Sequence, residues 1–365
     1  MQNKGKRISL AIFAVFVFVI ILCSIFFFEQ PQENTVKIGF ILSGSCDEKG
    51  WNGMHYQGYK TSSEKLGTEM LIKENVKEYT GQSKTAIRDL VENGASMIIL
   101  SSYGYSEEVY DLVQEYPQIV FYGNSSEYHA KNLTSYFARL YQARYLAGIV
   151  AGMTTETNQI GYVAAMENNE VNRGINAFTL GVKRVNPDAI VNVIWTGSWD
   201  DEKKERLAVK TLIQKLDTDV ITYHQNQDFA AREADENGVY SIGYHVVSDD
   251  MSSKYLTSVV CNWEILYEEI IKQYLEGTAN SIENYWIGLD MDAIMLAEFS
   301  DEVSVEVMLE IEKAKAEILG GKDVFSGIIY DNQNTLRCDE GEIIRDKTLL
   351  EQFDWFVEGV RIYEQ

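Results

Sequence analysis

From Val36 onward, short apolar runs alternate with amphipathic stretches of helical length. VKIGFIL (36–42), MLIK (70–73), SMIIL (96–100) and IVFY (119–122) predict strands, and Met54–Lys65, Lys84–Glu92 and Ser106–Glu115 predict the helices between them. An Ala- and Gly-rich helix over Leu140–Gly152 follows, and the alternation then restarts. Its second half runs IGYVAAM (160–166), a helix over Val171–Val185, IVNVIW (190–195), a helix over Glu202–Leu216, DVITY (219–223), a helix over Ala230–Asn237, and VYSIGY (239–244). Strands alternating with helices indicate βαβ units and parallel sheets. The pattern therefore predicts an α/β chain of two doubly wound parallel-sheet lobes. Ligands of such sheets sit in the crevice beyond the carboxyl ends of the strands, and two facing sheets make a cleft that can hinge shut. The segments at those ends are Ser43–Gly53, Ser101–Tyr105, Tyr122–Ser126, Ala165–Arg173, Thr196–Asp200, Tyr223–Phe229 and Tyr244–Met251.

The amino terminus follows a different pattern. Leu10–Phe28 is apolar apart from Ser24, with Lys4, Lys6 and Arg7 just before it. A helix of that length spans about 28 Å, close to the ~30 Å hydrocarbon core of a bilayer. The positive-inside rule then places residues 1–9 in the cytoplasm, a single-pass anchor at 10–28, a polar tether at 29–35 and the rest of the chain outside the cell membrane. A cleaved signal would need a small-residue cleavage site that the run lacks. Lipidation at Cys23 is the rival reading, against which Leu22 stands where a small residue is wanted.

Charge and motifs narrow the chemistry. The formal net charge of -23 repels phosphate backbones, which argues against nucleic acid as a partner. Gly44, Gly50 and Gly53 do not make G-x-G-x-x-G, His55, His129, His224 and His245 are scattered, and neither H-E-x-x-H nor G-x-S-x-G occurs. No cofactor, metal or catalytic constellation is thereby indicated. Cys46, Cys261 and Cys338 leave at most one bridge, whose members the sequence does not choose. Two strand-end loops carry the interest. In the first, Trp51 offers a flat ring, Asn52 an amide, and His55 an imidazole one helical turn on. A ring can stack on a heterocycle while amide and imidazole groups read its edge. In the second, YHQNQDF (223–229), six of seven side chains carry hydrogen-bonding groups. Buried packing of Trp51 and His55 is the plainer alternative.

These residues carry a resemblance. G-W-N-x-x-H-x-x-G at 50–58, YLAGIVAGMTTETNQIGYVAAMENNEVNRGINAFTLGVKRVNPDA (145–189), HQNQD (224–228), GVYSIGYHVVSDDM (238–251) and GEIIRDKTLLEQFDWFVEGV (341–360) together resemble the basic membrane protein family. These are surface solute-binding proteins of ABC importers, the purine nucleoside receptors among them. The resemblance implies a type I periplasmic-binding fold: lobe 1 of residues 36–138 plus about 262–286, and lobe 2 of residues 139–261 plus about 287–365, joined by three crossing strands. It implies a purine base or nucleoside as ligand, an ABC permease as partner, a monomeric ectodomain and no enzymatic activity. Trp51 and Asn52 match the aromatic-Asn pair that engages the base. Gly123-Asn124 stands where the nucleoside receptors carry an acidic residue, and Cys261-Asn262-Trp263 where they carry a lysine. The chain is in these respects similar to the branch thought to bind purine bases, and His224, Gln225, Asp228, Tyr244 and Trp263 join Trp51, Asn52, His55 and Asn124 as candidate ligand contacts. A membrane-anchored sensor built on the same fold is the alternative.

Overall fold

A computed structural model of the chain describes residues 35–248, 250–279 and 284–364. The first half runs β1 (Lys37–Ile41), α1 (Trp51–Leu66), β2 (Glu69–Lys73), α2 (Gln82–Glu92), β3 (Met97–Leu100), α3 (Tyr105–Glu108), α4 (Tyr110–Glu115), β4 (Val120–Asn124) and β5 (Leu133–Ala138). The second runs α5 (Leu140–Thr154), β6 (Gln159–Ala164), α6 (Asn169–Val185), β7 (Ile190–Trp195), α7 (Glu202–Leu216), β8 (Val220–His224), α8 (Phe229–Glu236), β9 (Tyr240–Tyr244) and β10 (Tyr255–Cys261). Then come α9 (Trp263–Leu275), β11 (Asn284–Ile287), β12 (Ile294–Leu296), α10 (Val305–Leu319), β13 (Ile329–Tyr330), β14 (Leu336–Cys338), α11 (Asp346–Glu351) and β15 (Val360–Ile362).

Two large sheets result. One has the order β2-β1-β3-β4-β5-β11 and the other β15-β7-β6-β8-β9-β10-β12. Every pairing in the first is parallel. The second departs from the fully parallel expectation at one edge, where β12 runs antiparallel to β10 with Val259 opposite Leu296. The chain passes between the sheets three times, after β5, β10 and β11. Both sheets change direction in the same way, between β1 and β3 in one and between β6 and β8 in the other. Such switch points open a crevice at the strand carboxyl ends.

The strands read as continuous apolar runs because helices cover them. Ile98, Leu100, Phe121 and Leu133 are buried against Ile87, Leu90, Leu112 and Val113 on one side of the first sheet, and each such aliphatic side chain contributes about 1.5–3 kcal/mol when removed from water. In the second lobe α5 and α6 approach closely through glycines. A Cβ on Gly148 would lie 2.0 Å from the Phe178 carbonyl oxygen, and one on Gly181 1.9 Å from that of Tyr145. This contact fixes the helix whose first turn carries Glu170.

Among the described residues no helix is long and apolar enough to cross a membrane; the apolar run 10–28 lies outside them. The helix expected over Ser106–Glu115 is broken at Val109, whose amide closes onto Tyr105 while Leu112 turns back onto Val109. Cys46, Cys261 and Cys338 are all free thiols. Cys46 is hydrogen-bonded to Glu74, and burial and that carboxylate push the thiol up to about 11.

Candidate ligand-binding site

The carboxyl ends of both sheets meet around a narrow cavity, about 340 Å³ with open solvent included. From the first sheet come Trp51 beyond β1, Ser102 and Tyr103 beyond β3, and Asn124 at the end of β4. From the second come Glu170 beyond β6, Trp199 beyond β7, His224, Gln225 and Asn226 at and beyond β8, and Tyr244 at the end of β9. The cavity thus lies at both switch points at once. Outward it adjoins a wider cleft, about 1240 Å³ with open solvent included, where Asn52, Tyr79 and Asp200 appear.

The Trp51 indole is 9% exposed and is anchored by its Nε1–H, which donates to the Ser101 carbonyl at 3.0 Å. That bond crosses from the β1 end to the β3 end and holds the ring at the cavity wall. Behind it lies a stack of rings: His55 at 4.2 Å between centroids, and Trp263 stacked on His55 at 3.7 Å. His55 Nδ1 is hydrogen-bonded to the Tyr267 hydroxyl, which also meets Tyr136. Burial pushes the His55 imidazole well below its ordinary range, so it is neutral.

The nine side chains picked from the sequence separate accordingly. Trp51, Asn124, His224, Gln225 and Tyr244 line the cavity together. His55 and Trp263 form the layer behind Trp51. Asn52 is 2% exposed, and its amide is engaged within its own lobe, with Nδ2 donating to Glu48 at 2.8 Å and Oδ1 accepting from Ser43 at 3.2 Å. Asp228 accepts from Arg232 and Ser248 beside α8, away from the cavity wall. Ser102, Tyr103, Glu170, Trp199 and Asn226 were not among the nine, although all five fall inside strand-end segments that the alternation marks.

Four cavity groups have buried polar atoms without partners among the described residues: Asn124 Nδ2, His224 Nδ1, Gln225 Oε1 and the Tyr244 hydroxyl. Gln225 Nε2 donates to Thr196 Oγ1 at 2.9 Å, which directs its amide. Buried polar atoms cost free energy unless they are paired, so a site that leaves four of them bare is suited to a ligand that pairs them. Glu170 Oε1 lies 3.1 Å from His224 Nε2. Burial pushes the Glu170 carboxyl up, but the bond from His224 and the charges of Arg173 and Arg144 outweigh it, so it stays ionised. Burial holds His224 below the ordinary histidine range against the pull of Glu170. The neutral imidazole therefore carries its proton on Nε2 and donates to Glu170.

Two contacts tie the lobes across the cavity mouth. The Trp51 amide donates to the Asn226 carbonyl at 3.3 Å. Glu127 Oε1 accepts from Tyr103 at 2.8 Å and from Asn169 at 2.7 Å. His245, which follows Tyr244, has φ 60°, a left-handed conformation for a residue with a side chain. Its ring packs 5.0 Å from Trp51 with neither nitrogen partnered among the described residues.

Residues 35–326 match the family model Bmp, described as ABC transporter substrate-binding protein PnrA-like. The chain is 32% identical over 335 residues to a purine-binding protein of Brucella abortus, covering 90% of this chain and 93% of that one. It is 30% identical over 334 residues to a putative ABC transporter glucose-binding protein of Haloferax volcanii, covering 90% and 82%. Among solved structures, a transcriptional activator of comK from Bacillus halodurans superposes with a TM-score of 0.66 at 24% identity, over 78% of this chain and 98% of that one.

Proposed function

Because the chain belongs to the Bmp family of PnrA-like ABC transporter substrate-binding proteins, we propose that it captures a purine base or nucleoside between its two lobes and delivers it to an ABC permease. The relatives in question are solute-binding proteins and not enzymes, and binding alone is the mechanism. Lobe 1 is residues 36–138 plus about 262–286, and lobe 2 is residues 139–261 plus about 287–365. Trp51, Asn124, His224, Gln225 and Tyr244 contact the ligand directly. The ring lies against the Trp51 indole, each lobe supplies part of the edge contacts, closure excludes water, and the permease reads the closed shape. Residues 10–28 hold the monomeric binding unit at the outer face of the membrane.

The observation that carries this reading is the aromatic cavity at both switch points, with unsatisfied amide atoms contributed from opposite sheets. Base–aromatic stacking contributes ~1–3 kcal/mol per base, and Asn and Gln side chains match the hydrogen-bonding edges of purines. The test is a thermal-shift and calorimetric screen of the purified full chain against purine bases, nucleosides and glucose. A purine at about 100 times its Kd should stabilise the fold by about 2.7 kcal/mol. Trp51→Ala should weaken that binding about 10- to 100-fold. Binding of glucose with no response to any purine would overturn the assignment. Deleting the receptor in cells should abolish purine uptake; a transcriptional response lost with uptake intact would favour a sensor.

A further inference from the structure

Both sheets present polar groups to the cavity. The first sheet presents a donor, Asn124 Nδ2, with no partner among the described residues. The second sheet presents the acceptors Gln225 Oε1 and His224 Nδ1, both bare, and the Glu170 carboxylate, beside the Tyr244 hydroxyl, which can donate or accept. Glu170 Oε1 is occupied by His224 Nε2, and the carboxylate forms part of the cavity wall. The carboxylate is held rigidly. Asn168 caps α6 by accepting from the Val171 amide at 2.9 Å, which fixes the first turn, and the positive end of the helix favours the charge there. The neighbouring charges of Arg144 and Arg173 already compensate Glu170, so its ligand need not be a cation.

An ionised carboxylate accepts hydrogen bonds and donates none. Resting on the assignment of a purine ligand, we infer that Glu170 is the residue that sets selectivity within that class: its carboxylate takes an N–H donor from the ring edge facing the second sheet, and the donor it takes is an exocyclic amine. A carbonyl oxygen at the same ring position would face the carboxylate with like partial charge and leave it unpaired in a dry site. Aminopurines are therefore taken in preference to their oxo counterparts, adenine over hypoxanthine or guanine over xanthine. Gln225 Oε1 reinforces the same preference from the same side, and Asn124 serves an acceptor on the opposite edge.

The test compares dissociation constants of the full chain for those two pairs, with and without Glu170→Gln. In at least one pair the wild type should prefer the amino member by about 10- to 100-fold, the discrimination typical of a matched hydrogen-bonding edge. Glu170→Gln, whose amide can turn either a donor or an acceptor to the ligand, should bring that ratio to within about threefold. Glu170→Asp, which keeps the charge on a shorter stem, should bind more weakly yet keep the direction of preference. Because the readout is a ratio on one sample, a misfolded fraction cancels. A wild type that binds amino and oxo members alike, or a Glu170→Gln variant that keeps the full ratio, overturns the role of Glu170 and leaves the purine assignment standing. Failure of every purine to bind overturns both.

Discussion

Gly50→Val is expected to weaken ligand binding about 100-fold or more while lowering the melting temperature of the unliganded protein by no more than a few degrees. Gly50 is the residue before α1, and a Cβ there would lie 1.8 Å from the Asn226 carbonyl oxygen and 3.0 Å from its carbonyl carbon. Both are backbone atoms of the opposite lobe, so no side-chain rotation relieves the clash. The same carbonyl receives the Trp51 amide, one of the four donors a helix start leaves unpaired. With valine at 50 the lobes stop short, that bond is lost, and the cavity stays open to water. Apparent affinity falls in proportion to the population of the binding-competent form. Each lobe keeps its own core, so folding loses only the modest preference for glycine at a helix N-cap. Calorimetry gives the affinity, and small-angle scattering with saturating ligand should show the variant more extended than wild type. Undiminished affinity would mean that the lobes function without so close an approach.

The second large effect concerns stability and pH. Glu205 lies in the first turns of α7, behind the N-cap Asp201, whose side chain accepts from the Lys204 amide. It is fully buried, and neither carboxyl oxygen has a partner among the described residues. Burial pushes its pKa up to about 8, with Asp200, Asp201 and Asp228 adding to the rise. The folded state thus holds a proton on Glu205 between about pH 4.5 and pH 8 that the unfolded chain has released. Its contribution to stability is complete below about pH 4.5 and is lost as pH rises through 8. From the shift, that loss is on the order of 5 kcal/mol. Glu205→Gln keeps the shape without the titration. Melting temperatures from pH 5 to pH 9 should fall for the wild type relative to the variant, leaving the variant several degrees more stable at the alkaline end. Parallel curves would show that Glu205 does not hold its proton.

Much of the architecture was legible because helix and strand have different periods and the chain keeps to them. Glu202–Leu216 and Ile190–Trp195 match the sequence reading end for end. The strands after residue 250 were harder to see. β11, β12 and β15 are three or four residues long, too short for any alternation to register, and they join sheets built from distant parts of the chain. At the site, helical spacing correctly put Trp51 and His55 on one face but gave direction around the helix without depth. The indole reaches the cavity, and the imidazole lies one layer behind it. The polar YHQNQDF loop contributes His224, Gln225 and Asn226 to the cavity wall, whereas Asp228 turns to Arg232. Glu170 lay inside a marked strand-end segment, but among 55 acidic residues its type gave no sign of a site; the fold shows that it, and not Glu167 in the same segment, lines the cavity. The bond between Trp51 and Asn226 involves main-chain atoms alone, which no side-chain pattern announces.

The three passages of the chain between the sheets also bear on how the protein is made. The first sheet lacks its edge strand until residues 284–287 have been synthesised, and the second lacks β15 until residues 360–362. Neither half corresponds to a continuous stretch of message, so a ribosome that stalls midway releases two incomplete sheets at once. Partly made chains would then expose unpaired strand edges, which makes them natural clients for chaperones and proteases until the last segment arrives.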